Sequence, residues 1–205
     1  YAGANSAGTV FANIEVNLKK GSATSVFGGG LGKDTYVSGS IEVNIDGIID
    51  DDIEVYGGSK FGFIGYSDES DAAIRNPRTT KVNIKDGKVG KVFGGSMGSD
   101  AVAPLVNTYC YVTMTGGYAT SIYGGSDINA DISYRSKVLI TGGEAYMVFG
   151  GSNKLGSTLP TEVVVESGIV HYLFGGSNLT GDTINDNVFI KGGEVLSAYG
   201  GNRDG

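Results

Sequence analysis

The 205-residue sequence predicts an all-β protein, a right-handed parallel β-helix (solenoid) of about seven coils with about 25 residues in each. Three observations predict it. An aromatic residue followed by two glycines recurs through the chain. The segments upstream of each recurrence alternate apolar and polar residues. The chain also carries 36 Gly against 3 Pro, which without a collagen period calls for many turns.

The recurring motif is Phe27-Gly28-Gly29, Tyr56-Gly57-Gly58, Phe93-Gly94-Gly95, Tyr123-Gly124-Gly125, Phe149-Gly150-Gly151, Phe174-Gly175-Gly176 and Tyr199-Gly200-Gly201. The first glycines are spaced by 29, 37, 30, 26, 25 and 25 residues. The next residue is Gly30, Ser59, Ser96, Ser126, Ser152, Ser177 or Asn202. The register extends backwards. Val16, Val82, Val112, Val138, Val163 and Val188 stand 12 residues before the first glycine, and a single glycine stands 7 before it in six of the repeats. The second repeat carries two extra residues within Ile48–Asp52.

Each unit reads as a strand, a glycine turn, a second strand and a Gly-Gly-Ser turn, followed by a variable loop. Ile14-Glu15-Val16-Asn17-Leu18 and Lys81-Val82-Asn83-Ile84-Lys85 show the period-2 alternation of a strand with one buried face. A unit of this size cannot bury its own apolar face, so neighbours must stack and align like residues in ladders. A propeller blade needs four strands and about 40 residues. Leucine-rich repeats need a Leu/Asn spacing that is missing here.

Units such as Val138–Glu144 running on to Val148–Ser152 resemble repeats of large bacterial cell-surface proteins with parallel β-helix folds. Adhesin-like and autotransporter-passenger-like proteins of the pectin-lyase-like shape are among them. The resemblance covers nearly the whole chain. It implies an exported, extracellular or surface-attached protein. The single histidine, the lack of a carboxylate pair and the uniform turns favour a non-enzymatic structural or adhesin segment that presents binding loops. The same fold also carries carbohydrate-binding and polysaccharide-processing domains, which stand as the alternative. Residues 1–205 read as a single repeat domain cut from a longer protein, because the repeat is already in phase at Tyr1 and still in phase at Tyr199–Asn202. The expected partner is a host or neighbouring-cell glycan or protein. A net charge of −7 with no basic run argues against nucleic acid and anionic membranes. One cysteine, Cys110, excludes an internal disulfide framework.

The aromatic series could be a sugar platform but suits a stacked structural ladder better. The serines after the glycine pairs would need a base to act as nucleophiles. The chain has one histidine, His171, so they read as a turn ladder. Gly29–Tyr36 matches a calcium-binding nonapeptide once, which makes Asp34 the calcium candidate, with Asp50–Asp52 as a second acidic cluster. The motif does not run in tandem, so no cofactor or metal is expected to be required. Glu144 and Glu194 share a repeat position two coils apart, too far for a retaining carboxylate pair. The longest spacing contains the insert Lys60–Thr80, where Phe61, Phe63, Tyr66, Arg75 and Arg78 are the expected ligand-binding residues.

Overall fold

A computed structural model describes residues 1–65 and 78–204. The described chain is all-β, with parallel strands stacked as a solenoid of about seven turns roughly 27 residues apart. Two parallel sheets form its walls. The larger has β2 (Ile14–Leu18), β5 (Ile41–Tyr56), β7 (Thr79–Phe93), β9 (Tyr109–Met114), β10 (Tyr118–Tyr123), β12 (Arg135–Phe149), β13 (Thr161–Phe174) and β14 (Asn187–Ile190). In the same sheet β3 (Ser25–Phe27) pairs with β5 and β15 (Glu194–Tyr199) pairs with β13.

The register is the one the repeat dictates. Val16, Val43, Val82, Val112, Val138, Val163 and Val188 face one another strand by strand. The five inner members of this row are fully buried, each removing an aliphatic side chain from water for about 1.5–3 kcal/mol. Val16 and Val188 are only half-buried. Each lies in an end coil and has a described neighbour on one side only. The two extra residues of the second repeat form a bulge between Asp50 and Glu54, opposite Val89 to Lys91.

The turn glycines are explained by backbone conformation. Gly21, Gly47, Gly87, Gly117, Gly143, Gly168 and Gly193 all have φ between 75° and 101°, where a Cβ is strained. The paired glycines have another cause, which is proximity. A Cβ on Gly94 would come within 2.5 Å of the Gly124 carbonyl oxygen in the next coil. The pairs also zip the coils together, with Gly57, Gly94, Gly124 and Gly150 donating to the carbonyls of Phe93, Tyr123, Phe149 and Phe174 at 2.9 Å.

The segments that the sequence reads as variable loops carry strands of their own. They contribute a second five-stranded parallel sheet: β1 (Ala7–Val10), β4 (Asp34–Val37), β6 (Phe63–Gly65), β8 (Leu105–Asn107) and β11 (Asp131–Ile132). Each strand is two to four residues long and supplies one or two inward side chains. Val37, Ile64, Val106 and Ile132 close the core from this side, at 1% exposure or less.

Candidate functional site

The aromatic series forms one unbroken column. Tyr1, Phe27, Tyr56, Phe93, Tyr123, Phe149, Phe174 and Tyr199 stack face to face, with centroids 4.4–4.9 Å apart and planes within 13°. The six inner rings are buried, while Tyr1 and Tyr199 are about half-exposed. The face of each inner ring lies against its neighbours in the column, so no sugar can stack there. Burial is the column's function in the fold, and ring contact adds to it.

Two rows of side chains flank the column. One lies two residues before the aromatic and includes Glu54, Lys91 and Met147; the other lies four after it and includes Met97, Asp127, Asn153 and Asn178. Met97 and Met147 pack on the rings. Between the rows, the Tyr56 hydroxyl lies 3.1 Å from both Glu54 Oε2 and Asp127 Oδ2, and can donate to either. Lys91 pairs with Glu54 at 2.9 Å, and Asn153 donates to Asp127 Oδ1 at 2.7 Å. Burial, followed by the charges of Asp127 and Glu54, pushes the Tyr56 phenol far above its ordinary value. Glu54 raises Lys91. Burial pushes Tyr123 up to about 12.

The sequence reading missed this carboxylate pair, because it joins residues 73 positions apart on opposite sides of the column. The signal was present in the repeat register, which places both residues beside the aromatic. The arrangement does not suit glycoside chemistry. The phenol lies between the two carboxylates with one proton to donate, and Asp127 is buried, with Oδ1 held by Asn153 and Oδ2 facing the phenol.

The serines are structural. Ser59, Ser96, Ser126, Ser152 and Ser177 are fully buried. Each Oγ accepts from the backbone N–H of the equivalent residue one coil earlier, at 3.0–3.2 Å, and Asn202 Oδ1 continues the series at 2.7 Å. A second hydroxyl row closes onto the glycine pairs. Thr80, Ser136 and Thr161 donate to the carbonyls of Gly94, Gly150 and Gly175 at 2.5–2.7 Å. Cys110 occupies the same row, in register between Thr80 and Ser136. Its burial pushes the thiol up to about 11, so it is a neutral filler at ordinary pH.

His171 is 2.9 Å from Glu144 on the outer face, with its ring 5.5 Å from that of Tyr146. None of the serine hydroxyls bonds to it among the described residues. Ile169 stands in register between Glu144 and Glu194, so those two acids are not a pair. Asp34 is exposed and pairs with Lys33 at 2.9 Å, and Asp51 pairs with Lys88 at 3.1 Å. The Lys88 hydrogen bond lowers the Asp51 carboxyl. Among the described residues, no group of three His, Cys, Asp or Glu side chains is gathered to hold a metal. No described helix is long and apolar enough to cross a membrane.

The insert is shorter than its spacing suggests. Lys60 bridges to Met97, and the Phe61 N–H donates to the Met97 carbonyl, at a φ of 70° for Phe61. Phe63 lies in β6 and stacks on Tyr36 at 4.8 Å, while Ile64 is core. Arg78 Nε donates to the Ser38 carbonyl at 3.0 Å. Phe63 and Arg78 therefore both rest on the coil that contains β4. Tyr66 and Arg75 lie outside the described residues. Comparison with protein-family models, curated proteins and solved structures finds no match to this chain.

Proposed function

We propose that this chain is a non-enzymatic structural segment of a bacterial surface protein, a rigid rod that carries binding loops outside the cell. One observation carries this reading. Every coil is tied to the next by the same side-chain ladders, from the eight stacked rings to the buried serine series. Continuous ladders of this kind serve stiffness, and the repeated serine hydroxyls are spent within them. The insert is the main departure from the repeat. A second reading, carbohydrate binding, is favoured by a groove on the outer face of the larger sheet.

The experiment follows from the register. Val37 to Ile41, Val106 to Cys110 and Ile132 to Ser136 each span four positions between the two sheets, whereas Ile64 to Thr80 spans sixteen. Excising the twelve residues 66–77 restores the regular connection without any linker. The shortened chain should fold, with a melting temperature within about 4 °C of the parent. Its adhesion to host or neighbouring-cell surfaces should fall about tenfold, the effect of losing one good contact cluster. Unchanged adhesion would move the binding surface to the regular faces. Release of new reducing ends from any polysaccharide by the parent chain would overturn the non-enzymatic reading.

A further inference from the structure

Three adjacent coils present a small grid of outward side chains. Lys81, Tyr111 and Lys137 face one another in register on β7, β9 and β12, and so do Asn83, Thr113 and Leu139 two residues further on. Together these six line a groove of about 580 Å³, within the ordinary range of ligand pockets. Tyr111 lies 6.3 Å from Tyr109 with planes at 5°, and Tyr109 stacks on Tyr134 at 5.2 Å. Tyr111 is the ring that lines the groove, and Tyr109 and Tyr134 continue the aromatic row beside it. Arg135 pairs in register with Tyr109 and adds a third cation.

This patch gathers three cations, Lys81, Lys137 and Arg135, on a chain whose net charge is −7. Two acids lie beside these cations. Glu162 is bonded to Lys137 at 2.6 Å, and Glu42, opposite Lys81, accepts from Asn83 at 2.8 Å. Among the described residues, neither Lys81 nor Arg135 has an ion-pair partner. The groove lines itself with an aromatic ring, with hydroxyl and amide groups that can donate or accept, and with positive charge.

The geometry points to a binding site for an acidic glycan, lying along the solenoid axis across coils three to five, with Lys81 and Lys137 on its anionic groups and a sugar ring against Tyr111. The spacing favours a glycan over an acidic peptide. The two lysines sit two strand spacings apart, roughly 10 Å, which is close to the repeat of a disaccharide carrying one acid. Same-side residues of an extended peptide recur at about 6.7 Å and fall out of step with the lysines. This inference rests on the reading of the chain as a binder, and it names a ligand class for a face that the insert does not supply.

The test is calorimetric titration of the 205-residue chain with four probes of matched length. These are a sulfated glycosaminoglycan tetrasaccharide, a uronate-only tetrasaccharide, a neutral tetrasaccharide and an oligoglutamate. At least one acidic sugar should bind about tenfold more tightly than the neutral one, and the tighter of the two identifies the anion. Lys81→Gln and Tyr111→Ala should each weaken that binding about tenfold. Circular dichroism should be unchanged in both, since neither side chain is buried. Added salt should weaken binding further. The inference is overturned if neither acidic sugar binds, if the neutral sugar binds equally well, if oligoglutamate binds more tightly, or if both substitutions leave affinity intact. The chain lacking residues 66–77 should keep this glycan affinity, so the fate of the groove and the fate of the insert are read separately.

Discussion

Gly150→Ala should lower the stability of the fold by about 3 kcal/mol, although it adds a single methyl group. Gly150 does not need glycine for its backbone angles, since its φ is not positive. It needs glycine because the next coil is already there. A Cβ would strike the carbonyl oxygen of Gly175 and come within 3.0 Å of Thr161 Oγ1. Neither can move cheaply. The Gly175 carbonyl accepts the Thr161 hydroxyl, and the Gly150 N–H is committed to the Phe174 carbonyl at 2.9 Å. The coils must therefore part, and the adjacent serine and aromatic ladders part with them. Gly200, the same motif position in the last coil, has nothing within 4 Å of an added Cβ. Gly200→Ala should change stability by less than about 0.5 kcal/mol. Urea unfolding of the two variants, compared at equal slopes, measures the contrast.

Phe93→Ala should be costlier still, at about 4 kcal/mol. The ring is fully buried and sandwiched between Tyr56 at 4.6 Å and Tyr123 at 4.8 Å. Its removal leaves a void that cannot collapse, because the strands on either side are held in register by the glycine and serine bonds. In a chain of this length the loss corresponds to a fall in melting temperature of roughly 8–16 °C. Tyr199 stacks on one described neighbour and is half-exposed, so Tyr199→Ala should cost about 1 kcal/mol. If the two substitutions cost the same, the column is not a cooperative element of the core.

The parts of this structure that were legible in the sequence are those in which like must stack on like. A parallel in-register solenoid puts the same chemistry at the same height in every coil, so the valine row, the turn glycines and the aromatic column all appear as periodicities. The second sheet was hidden for a physical reason. Its strands are as short as Asp131–Ile132, and each fixes only one or two inward residues. Their distance from the preceding glycine pair varies, and although Val37, Val106 and Ile132 keep a constant distance to the strand that follows, the insert puts Ile64 out of phase. Phe63 was read as part of an irregular insert for the same reason, yet it lies in β6. The contact of Tyr56 with Glu54 and Asp127 was hidden differently. Glu54 and Asp127 stand in two different columns, one on each side of the aromatic, and two coils apart, so no single column of the repeat contains both. The groove at Lys81, Tyr111 and Lys137 was readable by following one outward column through successive coils, whereas the motif search followed the inward ones.

Every coil of the solenoid advances the stack by one strand spacing. Glu15, Lys81 and Asn187 are exposed members of one registered row, through Glu42, Tyr111, Lys137 and Glu162. Spin labels on cysteines at these positions, in a Cys110→Ser background that keeps a hydroxyl in its row, give the spacing directly by pulsed dipolar spectroscopy. The pair 15/187 spans six spacings and should give a narrow distribution near about 29 Å, and the pair 81/187 spans four and should give about 19 Å. A difference of two spacings between them supports the solenoid. Equal distances, or broad distributions without that increment, would contradict it.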